Sequence, residues 1–195
     1  MNYPLNLSFK LLALAPQISV TDATGKLVCF VKQKLFKLKE AVTVYSDAEK
    51  TKPLAQIDAD RILDISAQYH FTSAVDQRKL GAVKRRGMKS IWKCHYEILD
   101  GDQVVMTLQE DNPWVKVLDA LFMNIPIIGM FAGYVLHPSY TVRRADGQAV
   151  LRLKKMPAFF EGKFQMEKLG ELTPDEEVRV LLSILMMTLL ERARG

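Results

Sequence analysis

The chain has 195 residues, of which 49% are hydrophobic and 25% charged, with a formal net charge of +5. That is long enough to bury a sizeable core and too apolar for a disordered chain, so a single domain spanning 1–195 is expected. The mild basic excess permits an anionic partner, such as lipid headgroups or nucleic acid, without requiring one.

The start, Met1-Asn2-Tyr3-Pro4, has no basic run and no continuous apolar run follows it, so no secretory leader is expected and a cytoplasmic location is. Up to the last helix the dominant period is two. Leu5, Leu7, Phe9 and Leu11 alternate with Asn6, Ser8 and Lys10. A short strand at Ile18–Thr21, a turn at Asp22–Gly25 and a return strand at Lys26–Lys32 follow. Cys29 lies in that return and Cys94 in a later strand-like run; neither has metal-ligand spacing, and both read as reduced structural thiols.

Val42–Ser46 alternates again before a turn at Asp47–Lys52. Ala55, Ile57 and Ala59 share one face. Ile65, Ala67, Tyr69 and Phe71 alternate with polar residues. Leu80–Lys84 and Trp92–Leu99 read as strands, and Asp100-Gly101 turns the chain into Val104–Gln109. Asn112-Pro113 caps an expected helix at Trp114–Met123. A charge-free stretch from Ala120 to Leu136 is interrupted by Pro126, Gly129 and Gly133, which argues against a membrane span and for a helix-plus-loop insertion at about 113–136. Strands resume at Tyr140–Arg143, at Ala149–Lys154 after an Asp146-Gly147 turn, and around Phe160–Glu167. About twelve short strands separated by turns indicate an all-β sandwich or barrel.

The last segment, Thr173–Arg192, is of another kind. Thr173 is placed to cap a helix, Pro174 to occupy its first turn, and Glu176 to close a capping box. Asp175, Glu176 and Glu177 suit the positive end of the helix dipole, and Arg192 and Arg194 the negative end. From Val178 to Leu190 nearly every residue is apolar. Glu176, Arg179 and Ser183 form one narrow polar stripe, and Thr188 lies opposite. A helix apolar all round is buried in a core or in a membrane, and a span takes roughly 20 apolar residues, more than this segment offers. A helix enclosed by the sheet is therefore expected, with a membrane anchor or partner-binding helix as the competing readings. Barrels of about eight strands are filled by their own side chains, whereas a can of about eleven holds a central helix, so twelve strands make room for this one.

Three stretches, VKQKLFKLKE (Val31–Glu40), ADRILDISAQYHF (Ala59–Phe71) and LGAVKRRGMKSIWKCHYEI (Leu80–Ile98), resemble the bacterial LURP-one-related proteins. These group with tubby-like C-terminal domains and phospholipid scramblases. The resemblance covers nearly the whole chain and implies a twelve-stranded barrel threaded by a hydrophobic C-terminal helix. It also implies a possible tie to membrane lipid, since tubby domains bind phosphoinositides. It carries over no catalytic residue.

The densest basic stretch is Lys84, Arg85, Arg86, Lys89 and Lys93, interleaved with Gly87, Met88, Ile91 and Trp92. A basic loop with an apolar tip suits anionic headgroups, each cation contributing about 1 kcal/mol near such a surface. The ordinary alternative is a solvated hairpin whose charges protect a sheet edge. Lys32 and Lys34 share a strand face, as do Lys37 and Lys39, and either extend that footprint or form a wet face. Asp58, Asp60 and Asp64 lack the glycine and terminal Glu of a calcium loop. His70, His95 and His137 are scattered without zinc spacing. No nucleophile elbow, phosphate loop or metalloprotease motif is present.

The sequence thus leads to a monomeric, non-enzymatic domain without cofactor or metal. It would bind anionic phospholipid or the cytoplasmic membrane surface through Lys84, Arg85, Arg86, Lys89, Lys93, Lys32 and Lys34. A protein-interaction or scaffold role for the same surface is the alternative, and an enzyme has no motif behind it. A nucleic-acid role is not expected, because no recognition helix or aromatic stacking pattern accompanies the charge.

Overall fold

The computed structural model describes residues 1–10, 17–32, 42–60, 67–86, 95–111, 138–157 and 161–192, with the backbone alone at Glu161 and Arg192. The expected insertion at 113–136 lies outside them. Strand pairing follows from the period of two. On Leu5–Lys10 (β1), Leu5, Leu7 and Phe9 are buried while Asn6, Ser8 and Lys10 alternate outward. The same alternation recurs in Gln17–Thr21 (β2), Leu27–Lys32 (β3), Val42–Tyr45 (β4) and Pro53–Ala59 (β5). It continues through Gln68–Ser73 (β6), Lys79–Arg85 (β7), His95–Asp100 (β8) and Gln103–Glu110 (β9), with adjacent buried residues at Ala82-Val83 and Ile98-Leu99. Ser139–Arg144 (β10), Ala149–Met156 (β11) and Glu161–Lys168 (β12) complete the wall.

Each strand pairs antiparallel with its chain neighbour, and β1 returns to β12 with Leu5 opposite Met166 and Lys10 opposite Glu161. The result is a closed up-and-down barrel of twelve strands with no free edge. Short turns join the strands at one end. Gly101, with φ +58, opens the two-residue turn between β8 and β9, and Gly147, with φ +87, serves the turn between β10 and β11. Outward positions such as Asn6, Ser8, Gln56, Asp58, Lys163 and Glu167 are polar. Among the described residues, these outward positions do not form the outer apolar band of a barrel that spans lipid.

Pro174–Arg192 forms the helix α1. Every residue from Arg179 to Leu189 is buried, a run of three turns with no exposed face. Its side chains merge with inward residues from all twelve strands into one core, which includes Leu7, Val20, Val44, Ile57, Leu108, Leu153, Leu182, Leu185 and Met186. Twelve strands about 4.8 Å apart and tilted about 40° enclose a lumen of roughly 12 Å radius, enough for one helix and two layers of side chains. Helix α1 lies nearest β6, β7 and β8.

The capping box forms as expected: the Thr173 amide donates to Glu176 Oε2 at 2.8 Å and the Glu176 amide to Thr173 Oγ1 at 3.3 Å. The acidic first turn is also tied to the rim. Arg78 donates to both carboxylate oxygens of Asp175 at 2.9 and 3.1 Å, and Arg144 to both of Glu176 at 2.8 and 3.1 Å. Lys168 reaches Glu177 at 3.4 Å.

Arg179 is the one charged side chain within the buried run. Its Nε donates to the Leu80 carbonyl at 2.8 Å, and its Nη2 meets Asp100 at 2.7 Å. The wall is shaped for it. Gly81 pairs with Phe71 while Lys79 pairs with Thr72, so Leu80 is the extra residue of a bulge and its carbonyl serves the lumen. Gly81 has φ +124, and a Cβ there would stand 2.5 Å from Arg179 Nε and 2.5 Å from the Leu99 carbonyl.

Three outcomes follow from this packing. A chain ending at Leu172 should lack a cooperative unfolding transition, and Leu185→Ala should cost about 2–5 kcal/mol in urea unfolding. Gly81→Ala should cost roughly 2–4 kcal/mol, from backbone strain plus displacement of Arg179. The third concerns acid. Arg78 holds the Asp175 carboxyl below its ordinary value of 3.8, by hydrogen bonding and then by charge. Burial works to raise Glu176, but hydrogen bonds from Thr173 and Arg144 and the charge of Arg144 outweigh it and bring it below 4.5. Both folded values are depressed, so this stabilisation is complete above the unfolded values and is lost as pH falls from about 4.5 downward. Arg78→Ala with Arg144→Ala should flatten that acid limb in pH-dependent unfolding and leave its neutral-pH side parallel to the parent's.

Candidate functional site: the rim around the helix C-terminus

Odd-numbered strands run toward one end of the barrel, and α1, entering after β12, ends there too. The last residues of β1 and β3 are Lys10 and Lys32, both exposed. They are joined in register through Gln17, two strands apart, or roughly 10 Å. The end of β7 brings Lys84 and Arg85, followed by Arg86, while β11 brings Lys154 and Lys155 and β12 brings Lys163. The topology thus gathers one or two cations from each of five strands onto one rim.

Their surroundings differ. Lys10, Lys32, Lys84 and Lys155 make no ion pair among the described residues. Arg86 lies 3.5 Å from Glu97, and Lys154 lies 2.9 Å from Glu167. Arg85 is turned the other way from Lys84, as strand alternation requires. Its side chain, 17% exposed, reaches into the lumen mouth, where Nη2 is 3.8 Å from Glu191 of α1. Tyr96, fully buried, donates to the same Glu191 carboxylate at 2.8 Å. Arg85 therefore helps to anchor the helix end to the wall, a position distinct from that of its neighbours in the basic stretch. Lys34, Lys89 and Lys93 lie outside the described residues, as do Lys37, Lys39, Asp64, Cys94 and His137.

From Lys32 to Lys84 the wall runs four strands, roughly 19 Å. This is a dispersed rim rather than a pocket closing on one phosphate. It suits many weak contacts to a charged surface. Helix α1 occupies the lumen, with Arg179 to Leu189 buried in succession. The remaining candidates stay apart: Asp58 and Asp60 are exposed on the outer wall, and Asp60 accepts the Gln68 amide at 2.9 Å. Among the described residues no group of three or more His, Cys, Asp or Glu side chains is placed to hold a metal. Burial pushes the Cys29 thiol up to about 12, so it holds its proton at neutral pH.

Lys10, Lys154, Lys155 and Lys163 were not legible as rim residues in the sequence. Each sits in a different strand, and only the meander order places them together. No family model matches this chain, and no curated protein matches it. Its fold is similar to the crystal structure of a protein from Arabidopsis thaliana, with a TM-score of 0.52 over 97% of this chain and 92% of that one, at 13% identity. That likeness concerns the fold alone.

The division between Tyr96 and Lys84 is measurable. Tyr96→Phe should lower unfolding stability by about 1 kcal/mol through loss of a charge-assisted bond, whereas Lys84→Ala should stay within about 0.5 kcal/mol.

Proposed function

We propose that this barrel is a non-enzymatic domain that docks on anionic lipid headgroups, at the cytoplasmic face of a membrane, through the rim around the helix C-terminus. The observation that supports this reading is the set of outward cations, Lys10, Lys32 and Lys84, that make no ion pair among the described residues and are spread along one end of the barrel. The filled lumen supports it as well, since a lipid would have to be met from outside. The resemblance to LURP-one-related and tubby-like domains points the same way. No helix among the described residues is long and apolar enough to cross a membrane. The dispersion of the cations also suits the acidic surface of a partner protein, which is the second reading.

Flotation with vesicles separates the two. The parent chain should float with vesicles containing anionic phospholipid at low salt, remain behind with purely zwitterionic ones, and detach as salt is raised. Combining Lys10→Gln, Lys32→Gln and Lys84→Gln should lower partitioning by roughly a hundredfold, at about 1 kcal/mol per cation. Equal and negligible flotation with both vesicle types at low salt would overturn the lipid reading.

A further inference from the structure

The bulge that makes room for Arg179 inside the barrel leaves a hollow outside it. Leu80 packs into the core, and the Cα of Gly81 also presents its side-chain direction to Arg179. After Lys79, the next outward side chain on β7 is therefore Ala82, and it is small. Strand β6 rises on one flank and the 101–102 turn on the other. Between them lies a recess of about 310 Å³, lined by His70, Thr72, Lys79, Ala82 and Asp102 over the backbone of Gly81.

Its chemistry is two-signed. Lys79 and Asp102 both border the recess, yet they do not pair with each other, and among the described residues neither their side chains nor that of His70 has a hydrogen-bond or ion-pair partner. A simple anion would meet the Asp102 carboxylate, and a simple cation the Lys79 ammonium. A ligand carrying both charges satisfies both groups. The volume lies at the small end of ligand pockets, roughly 300–1,000 Å³, which suits a compact ligand. The floor at Ala82 is apolar.

We propose that this recess binds a small apolar α-amino acid. Its ammonium would sit on Asp102 and its carboxylate on Lys79, with the Thr72 hydroxyl donating to the carboxylate and the side chain lying over Ala82. The recess is on the outer wall toward the turn end, away from the basic rim, so this inference stands independently of the membrane reading.

The test is a titration of the ¹⁵N-labelled full chain with L-valine, followed by amide NMR shifts. Saturable shifts are expected at Gly81, Ala82 and Gly101. Acetate and methylammonium, each carrying half of the recognised charge, should bind at least about tenfold more weakly. Lys79→Met and Asp102→Asn should each weaken valine binding roughly tenfold. Both residues are exposed or turn positions, and an unchanged spectrum elsewhere verifies that each variant folds. Shifts that do not saturate, acetate binding as well as valine, or variants that bind like the parent would overturn the proposal.

Discussion

The lumen of this barrel has room for one helix, and the chain supplies one without a polar face. Residues Arg179 to Leu189 are buried in succession, so the helix cannot rest on a sheet with one side in water. It needs a wall all round, and twelve antiparallel strands closed through β1 and β12 provide it. The dependence is mutual. Without the helix, the inward Leu, Ile, Val and Phe side chains of the strands would line an empty core. The apolar contacts of wall and helix are thus one term in the stability of the molecule, not two.

Polar groups fix where along the barrel that helix sits. Asp175, Glu176 and Glu177 are each tied to a different part of the turn end, through Arg78, Arg144 and Lys168. At the far end, Tyr96 and Arg85 hold Glu191. Between them, Arg179 engages Leu80 and Asp100 through a gap that only a glycine leaves open. An apolar cylinder inside an apolar sleeve could otherwise slide or rotate at little cost, because hydrophobic contact is non-directional. The directional bonds remove that freedom. They also shape the outside, since the bulge beneath Arg179 is what hollows the outer wall at Ala82.

Much of this architecture can be read in the sequence, for a physical reason. Alternation in Leu5–Lys10 or Ala55–Ala59 reports a two-sided strand directly, and the Thr173–Glu176 capping box reports a helix start. The count of strands and the buried helix both emerge from such local patterns. Features that depend on register do not. Arg85 reads as one more cation of a basic stretch, and only its place on β7 turns it into the lumen. Lys10, Lys154 and Lys163 are unremarkable singly, and closure of the meander makes them neighbours of one rim. Leu80–Lys84 reads as a plain strand, and the bulge at Leu80–Gly81 emerges only in the fold because its partner, Arg179, lies far along the chain.

The functional consequence follows from the filled lumen. With the helix in the lumen, the proposed contacts lie on the outer wall and at the ends, where the cations of the rim and the recess at Ala82 are found. The fold requires the helix to be part of the same cooperative core as the wall, and native-state hydrogen exchange measures that directly. The amides of Leu181 to Met187 should exchange only through global unfolding, with the same slow free energy as those of Leu7 and Phe9 in β1. Helix amides that exchange well before the strand amides, while the barrel remains folded, would contradict it.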